Sequence, residues 1–165
     1  MPHLTPWRGA RALFAGLGAF VALASAGSTW AGDHERALRV APLPQYTQEC
    51  ASCHIAYPPG LLPAATWQRL MANLPRHFGT DASVDATTKK ELSAWLAANA
   101  GTSRRAREVP PEDRITRSAW FEREHNEVPA RIWRSPAVKS SSNCSACHAQ
   151  AEQGDFNEHN VRIPR

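Results

Sequence analysis

The four cysteines and two of the seven histidines fall into one repeated arrangement, Cys50-Ala51-Ser52-Cys53-His54 and Cys144-Ser145-Ala146-Cys147-His148. Thiols three positions apart lie on the same side of a helical turn. Both can therefore add to the two vinyl groups along one edge of a porphyrin, and the next residue brings an imidazole beneath the iron. A CxxC pair followed at once by His is the attachment pattern of a c-type haem. Its duplication predicts two covalently bound haems, with Cys50, Cys53, Cys144 and Cys147 as the thioether positions and His54 and His148 as proximal iron ligands.

Three other chemistries use the same residue types. A disulfide framework suits an exported chain, but it gives no reason for a histidine after each pair. A four-cysteine zinc ribbon keeps its pairs closer than the roughly 90 residues that separate these. A thioredoxin-like pair needs a βαβ setting, and the sequence offers none.

The second ligand of each iron must come from elsewhere. His3 leaves with an expected leader, so His34, His77, His125 and His159 remain, together with Met71. Trp67, Leu70, Met71 and Leu74 follow the i, i+3, i+4, i+7 spacing of an amphipathic helix over residues 66–74, which assigns Met71 to a core. After Pro75 the chain turns, and Phe78-Gly79 lets His77 leave the helix end toward a porphyrin face, so His77 is the expected distal ligand of the first haem. Residues 112–126 read as a further helix, with Ser118, Phe121 and His125 on one stripe. His125 is the expected ligand of the second haem. His159 lies in a polar Asn157-Glu158-His159-Asn160 run and His34 beside the expected mature terminus, where chains are poorly ordered; both are expected to face solvent.

These ligands need elements to hold them. Residues 1–31 read as a secretory signal, with Arg8 and Arg11 ahead of the apolar run 12–26 and cleavage after Ala26 or Ala31. That run holds about 15 residues, and a membrane-spanning helix needs roughly 20, so no stable membrane insertion is expected after cleavage. The next part, residues 32–101, should form an N-terminal lobe around the first haem. There the rigid apolar loop 57–63 covers a porphyrin face, and Asp85 caps a helix over residues 86–100 that stops at Gly101. Residues 102–165 should form a C-terminal lobe around the second haem, with a short segment over 131–138 and an irregular tail. No alternating strand of useful length occurs. The expected class is all-α with a high loop content, in two small helical lobes each packed around a covalently bound haem. The apolar segments are short, and a chain of this size with so thin a core usually calls on a cofactor or staple.

The formal net charge of +4 includes Arg8 and Arg11 of the leader; without them seventeen basic side chains face fifteen acidic ones. Two propionates on each haem would bring the holoprotein close to neutrality, so no nucleic-acid surface is expected. Arg104, Arg105 and Arg107 read as a solvated linker.

The chain resembles the dihaem cytochrome c family of proteobacteria. The likeness runs through the first attachment motif into Ala56-Tyr57-Pro58-Pro59-Gly60-Leu61-Leu62-Pro63, then His77-Phe78-Gly79-Thr80-Asp81-Ala82-Ser83. It continues in Trp120-Phe121, in Arg123-Glu124-His125, in the second attachment motif and in the terminal Val161-Arg162-Ile163-Pro164. That resemblance implies a periplasmic protein with two low-potential haems and the axial set His54, His77, His125 and His148. It implies redox proteins as partners: an oxygen-binding monohaem cytochrome c as acceptor and a membrane b-type cytochrome as a candidate electron source. An iron with two protein ligands has no open position for substrate, so an electron carrier rather than an enzyme is expected. The alternative is a ligand-binding protein, sensor or redox enzyme in which one haem is five-coordinate.

Overall fold

The structure, a computed structural model, describes residue 38 and residues 40–165. The expected signal over residues 1–31, its cleavage after Ala26 or Ala31, and His3 and His34 lie outside the described residues. Those described form an all-α fold with a high loop content. Five α-helices, α1 (Pro44–Cys50), α2 (Ala64–Ala72), α3 (Ala86–Ala98), α4 (Ala119–Glu124) and α5 (Ala130–Trp133), are joined by loops and single 3-10 turns. Extended pairing among these residues is confined to two isolated bridges, His77 with Thr80 and His148 with Val161.

The first half is organised by α2 and α3, which pack against each other. Pro44 opens α1, where a missing N–H costs no hydrogen bond. Gln45 then donates to the Thr88 hydroxyl of α3 at 2.8 Å, and the Tyr46 hydroxyl donates to the Tyr57 carbonyl at 2.8 Å. α2 buries Thr66, Trp67 and Met71, the face that its 3.6-residue spacing anticipates. It ends two residues before the expected Leu74, because Pro75 has no N–H to return to the carbonyl of Met71. Leu74 enters the following 3-10 turn, Leu74–Arg76, and stays buried there. The Trp67 indole donates to the Pro59 carbonyl at 2.8 Å, which ties the proline-rich loop to α2.

Asp85 caps α3 as expected, its carboxylate accepting from the amides of Thr87 and Thr88. The stop differs. α3 ends at Ala98 rather than Ala100, and Asn99 closes it by donating its side-chain amide to the Trp95 carbonyl at 2.8 Å. Gly101 serves packing instead: its amide donates to the Leu62 carbonyl at 2.9 Å, and a side chain there would run into Ala106 and the Gly60 carbonyl. The resulting core joins Tyr46, Leu62, Trp67, Met71, Leu74, Leu92 and Leu96.

The helix expected over residues 112–126 is corrected by the structure. Two 3-10 turns, Pro111–Asp113 and Ile115–Arg117, precede α4, and Glu112 and Asp113 both take left-handed backbone angles with φ of 57°. Two such residues cannot propagate a right-handed helix. The helix instead starts where Ser118 offers a cap, its hydroxyl accepting from the Phe121 amide at 3.3 Å. The turns ahead of it lie against the first half. Asp113 receives both Arg69 Nε and Nη2 from α2, and Ile115 packs beside the first core. The segment expected over 131–138 holds the single-turn α5 followed by further turns.

Candidate functional site

Cys50 is the last residue of α1, and a turn over residues 51–54 brings His54 round behind it. The second motif occupies a single 3-10 turn, Cys144–Ala146, closed by the His148 amide donating to the Cys144 carbonyl at 2.8 Å. The C-terminal tail takes part here, because the Arg162 amide donates to the Cys147 carbonyl at 2.8 Å and Val161 bridges His148. Sequence reasoning left this tail irregular and missed that role. No local periodicity marks a segment whose partner lies on another turn.

All four cysteines are unpaired. Burial pushes the Cys50 thiol up to about 11, with the Glu49 charge adding to it, and burial likewise pushes Cys144 up to about 11. A redox-active pair needs a thiol pulled below its ordinary value, so the arrangement is the reverse of a thioredoxin-like site. Among the described residues no three His, Cys, Asp or Glu side chains gather in a way that would hold a bare metal ion, as a zinc ribbon requires.

The structure brings four of the histidines together in two pairs. His54 faces His77 with ring centroids 6.1 Å apart, and His125 faces His148 at the same 6.1 Å. Two imidazoles bound to one metal from opposite sides, each at about 2 Å, place their ring centres roughly 6 Å apart. The spacing therefore fits an iron between each pair. Both pairs include the histidine of an attachment motif, so thiols and imidazole address the same haem. Beside His125 lies an open cavity of about 550 Å³ lined by Phe121, Trp133 and Lys139 among others, within the range of cofactor sites. Met71 stays in the first core at 5% exposure. His159 is exposed on the Glu158–Asn160 turn and makes no ring contact with either pair.

Each imidazole is positioned differently. The His54 Nδ1–H donates to the Ile55 carbonyl at 2.6 Å and that of His125 to the Phe121 carbonyl at 2.9 Å. A carbonyl can only accept, so these bonds fix the tautomer and leave Nε2 as the basic nitrogen. His77 and His148 have buried Nδ1 atoms with no hydrogen-bond partner. Burial pushes both imidazoles toward the neutral form that a metal requires, with the facing histidine adding to the effect in each case.

Aromatic rings complete the surroundings. Tyr57 stacks on His54 at 4.7 Å, Phe121 on His125 at 4.0 Å, and Phe156 lies 5.2 Å from His148. Burial pushes the Tyr57 phenol up to about 12, so the hydroxyl keeps its proton. His77 ends the Leu74–Arg76 turn, and its carbonyl accepts from Thr80 at 3.0 Å across a bend with φ of 51° at Phe78 and 97° at Gly79. Only the second of these is a glycine, and the strain of the first is matched by contacts: the Phe78 ring rests 4.8 Å from His77 with Arg114 4.2 Å above its centre. The sequence singled out the four histidines and placed Tyr57 in a loop over a porphyrin face, but it did not mark Phe156 or Arg114 as their neighbours. Proximity of aromatic residues to the two motifs was the available signal.

Comparison with known proteins groups the chain with dihaem cytochromes. Residues 46–156 match the dihaem cytochrome c family. A solved structure of a dihaem cytochrome of type c from Shewanella baltica OS155 is 42% identical, covers 73% of this chain and 91% of its own, and superposes with a TM-score of 0.64. One of a dihaem cytochrome from Rhodobacter sphaeroides is 43% identical over 71% of this chain and 99% of its own, with a TM-score of 0.62. Among curated proteins none matches the chain.

Proposed function

The chain belongs to the dihaem cytochrome c family, and from that premise we propose that it is a periplasmic electron carrier in which each of two haems is held between two histidines. The family carries two c-type haems, and the attachment motifs put them at Cys50 with Cys53 and at Cys144 with Cys147. His54 and His77 would hold one iron, His125 and His148 the other. The observation that carries this reading is the matched separation of the two imidazole pairs.

The haems supply a one-electron iron couple. The protein's residues do the rest. Two imidazoles to each iron would leave small molecules no vacancy and favour a lower potential than a thioether would. Burial of Met71 within the first core supports that low-potential assignment. Members of the family are haem-based electron carriers with redox partners; for this chain we take the acceptor to be an oxygen-binding monohaem cytochrome c and the donor a membrane b-type cytochrome. Among the described residues no helix is long and apolar enough to cross a membrane, which fits a carrier that meets a membrane donor by docking.

A low-temperature spin-resonance spectrum of the oxidised protein tests the ligation. Two low-spin ferric signals are expected, together with an unchanged visible spectrum when carbon monoxide is added to the reduced form. A high-spin signal, or a carbon monoxide shift at either haem, would overturn the assignment and leave the five-coordinate, ligand-binding alternative in its place.

A further inference from the structure

Tyr57 joins the first histidine pair to the segment that leads into the second attachment motif. Its ring stacks on His54 at 4.7 Å with the planes 24° apart, and its hydroxyl donates to the Ser142 carbonyl at 2.6 Å, 85 residues along the chain and two before Cys144. Its own carbonyl accepts from the Tyr46 hydroxyl at 2.8 Å, and Tyr46 is buried in the first core against Trp95. A continuous path therefore runs from that core, through one side chain, to the segment that carries the second pair of thiols.

We propose that Tyr57 is a positioning residue that fixes the second attachment segment against the first histidine pair and so sets how strongly the two haem sites sense each other. Two features make it suited to this. An aromatic ring is stiff, with few rotatable bonds between stack and hydroxyl, so the distance from His54 to Ser142 is held rather than averaged. The acceptor is a backbone carbonyl, so the bond orients the 140–144 backbone itself, where Ser140 and Ser142 also bond each other through their hydroxyls at 2.8 Å. The inference rests on the reading that His54 holds the first iron.

Tyr57→Phe separates the two contacts, because it keeps the stack and removes only the tie to Ser142. In the exported dihaem protein we expect Y57F to change the separation between the two midpoint potentials and to speed hydrogen exchange at residues 140–147. The first low-spin signal and exchange in α2 and α3 should stay native. Tyr57→Leu removes both contacts and should also move the first low-spin signal. A native midpoint separation in Y57F would overturn the proposal. So would a changed separation accompanied by faster exchange throughout α2 and α3, since that is general loosening. If the His54 reading itself is wrong, the unmutated protein lacks two low-spin signals; if only the Tyr57 inference is wrong, it has both and Y57F matches it.

Discussion

Around His54 and His77 the chain builds a packed core from its own side chains, with Leu62, Leu92 and Leu96 at 2% exposure or less and two mutually packed helices behind them. In the second half the buried apolar residues include Phe121, Ile132 and Ala151, each from a different short element, and Val138 from a turn. Both regions set two histidines at the same separation, yet the first does so with helices of 9 and 13 residues and the second with helices of 6 and 4. Helices that short do not stand without tertiary support. In the second region the C-terminal tail gives part of that support, the Arg162 amide bonding the Cys147 carbonyl, and we expect the haem to supply the apolar mass that the short helices lack.

Detaching each haem in turn breaks the comparison most directly. Cys144→Ala with Cys147→Ala should abolish hydrogen-exchange protection across residues 119–148 while α2 and α3 stay protected. The counterpart, Cys50→Ala with Cys53→Ala, should leave a partly protected α2–α3 pair, because that core does not consist of porphyrin. Equal loss in both variants would show that the two halves depend on their haems alike.

Smaller cuts sharpen the contrast. Phe121→Ala removes the ring stacked on His125 and should cost about 3–5 kcal/mol, read by chemical denaturation of the dihaem protein. Its distinguishing sign is a displaced second low-spin signal beside an unmoved first. Leu92→Ala, at 1% exposure in the first core, should cost about 2–5 kcal/mol and leave both spin signals in place, since Leu92 lies behind the site rather than in it. A Leu92 variant with altered ligation would mean that the first core and its histidine pair are not separable.

The same contrast explains what could be read from the sequence. In the first half, Trp67, Leu70 and Met71 carry a 3.6-residue period and Asp85 is a recognisable cap, so α2 and α3 were legible to within two residues at their ends. In the second half, the stripe of Ser118, Phe121 and His125 suggests a helix over residues 112–126, of which only Ala119–Glu124 is α-helical. Nothing in the residue types announces the left-handed angles at Glu112 and Asp113, where Asp113 pairs with Arg69 across the fold. Single 3-10 turns have no period to detect. Chemistry was the more durable signal: the CxxCH motifs mark the attachment points, counting leaves His34, His77, His125 and His159, and local context selects His77 and His125, which the fold brings to His54 and His148. What closes over those sites, such as the Arg162 amide on the Cys147 carbonyl, comes from contacts that spacing does not encode.

The smallest effect comes from the cap that launches α4. Ser118 is 1% exposed; its hydroxyl accepts from the Phe121 amide and donates to the Ile115 carbonyl at 2.7 Å. One hydroxyl thus ends the turn that lies on the first core and begins the helix that carries Phe121 and His125. Ser118→Ala removes both bonds without opening a cavity, so a loss of about 1 kcal/mol is expected. Because the helix has only 6 residues, the loss should appear as fraying at its start, read as faster exchange of the Phe121 amide. The second low-spin signal should keep its position, since the stack of Phe121 on His125 and the Nδ1 bond to the Phe121 carbonyl lie downstream of the cap. A second signal that moved as far in this variant as in Phe121→Ala would mean that the cap, and not the aromatic stack, orients His125.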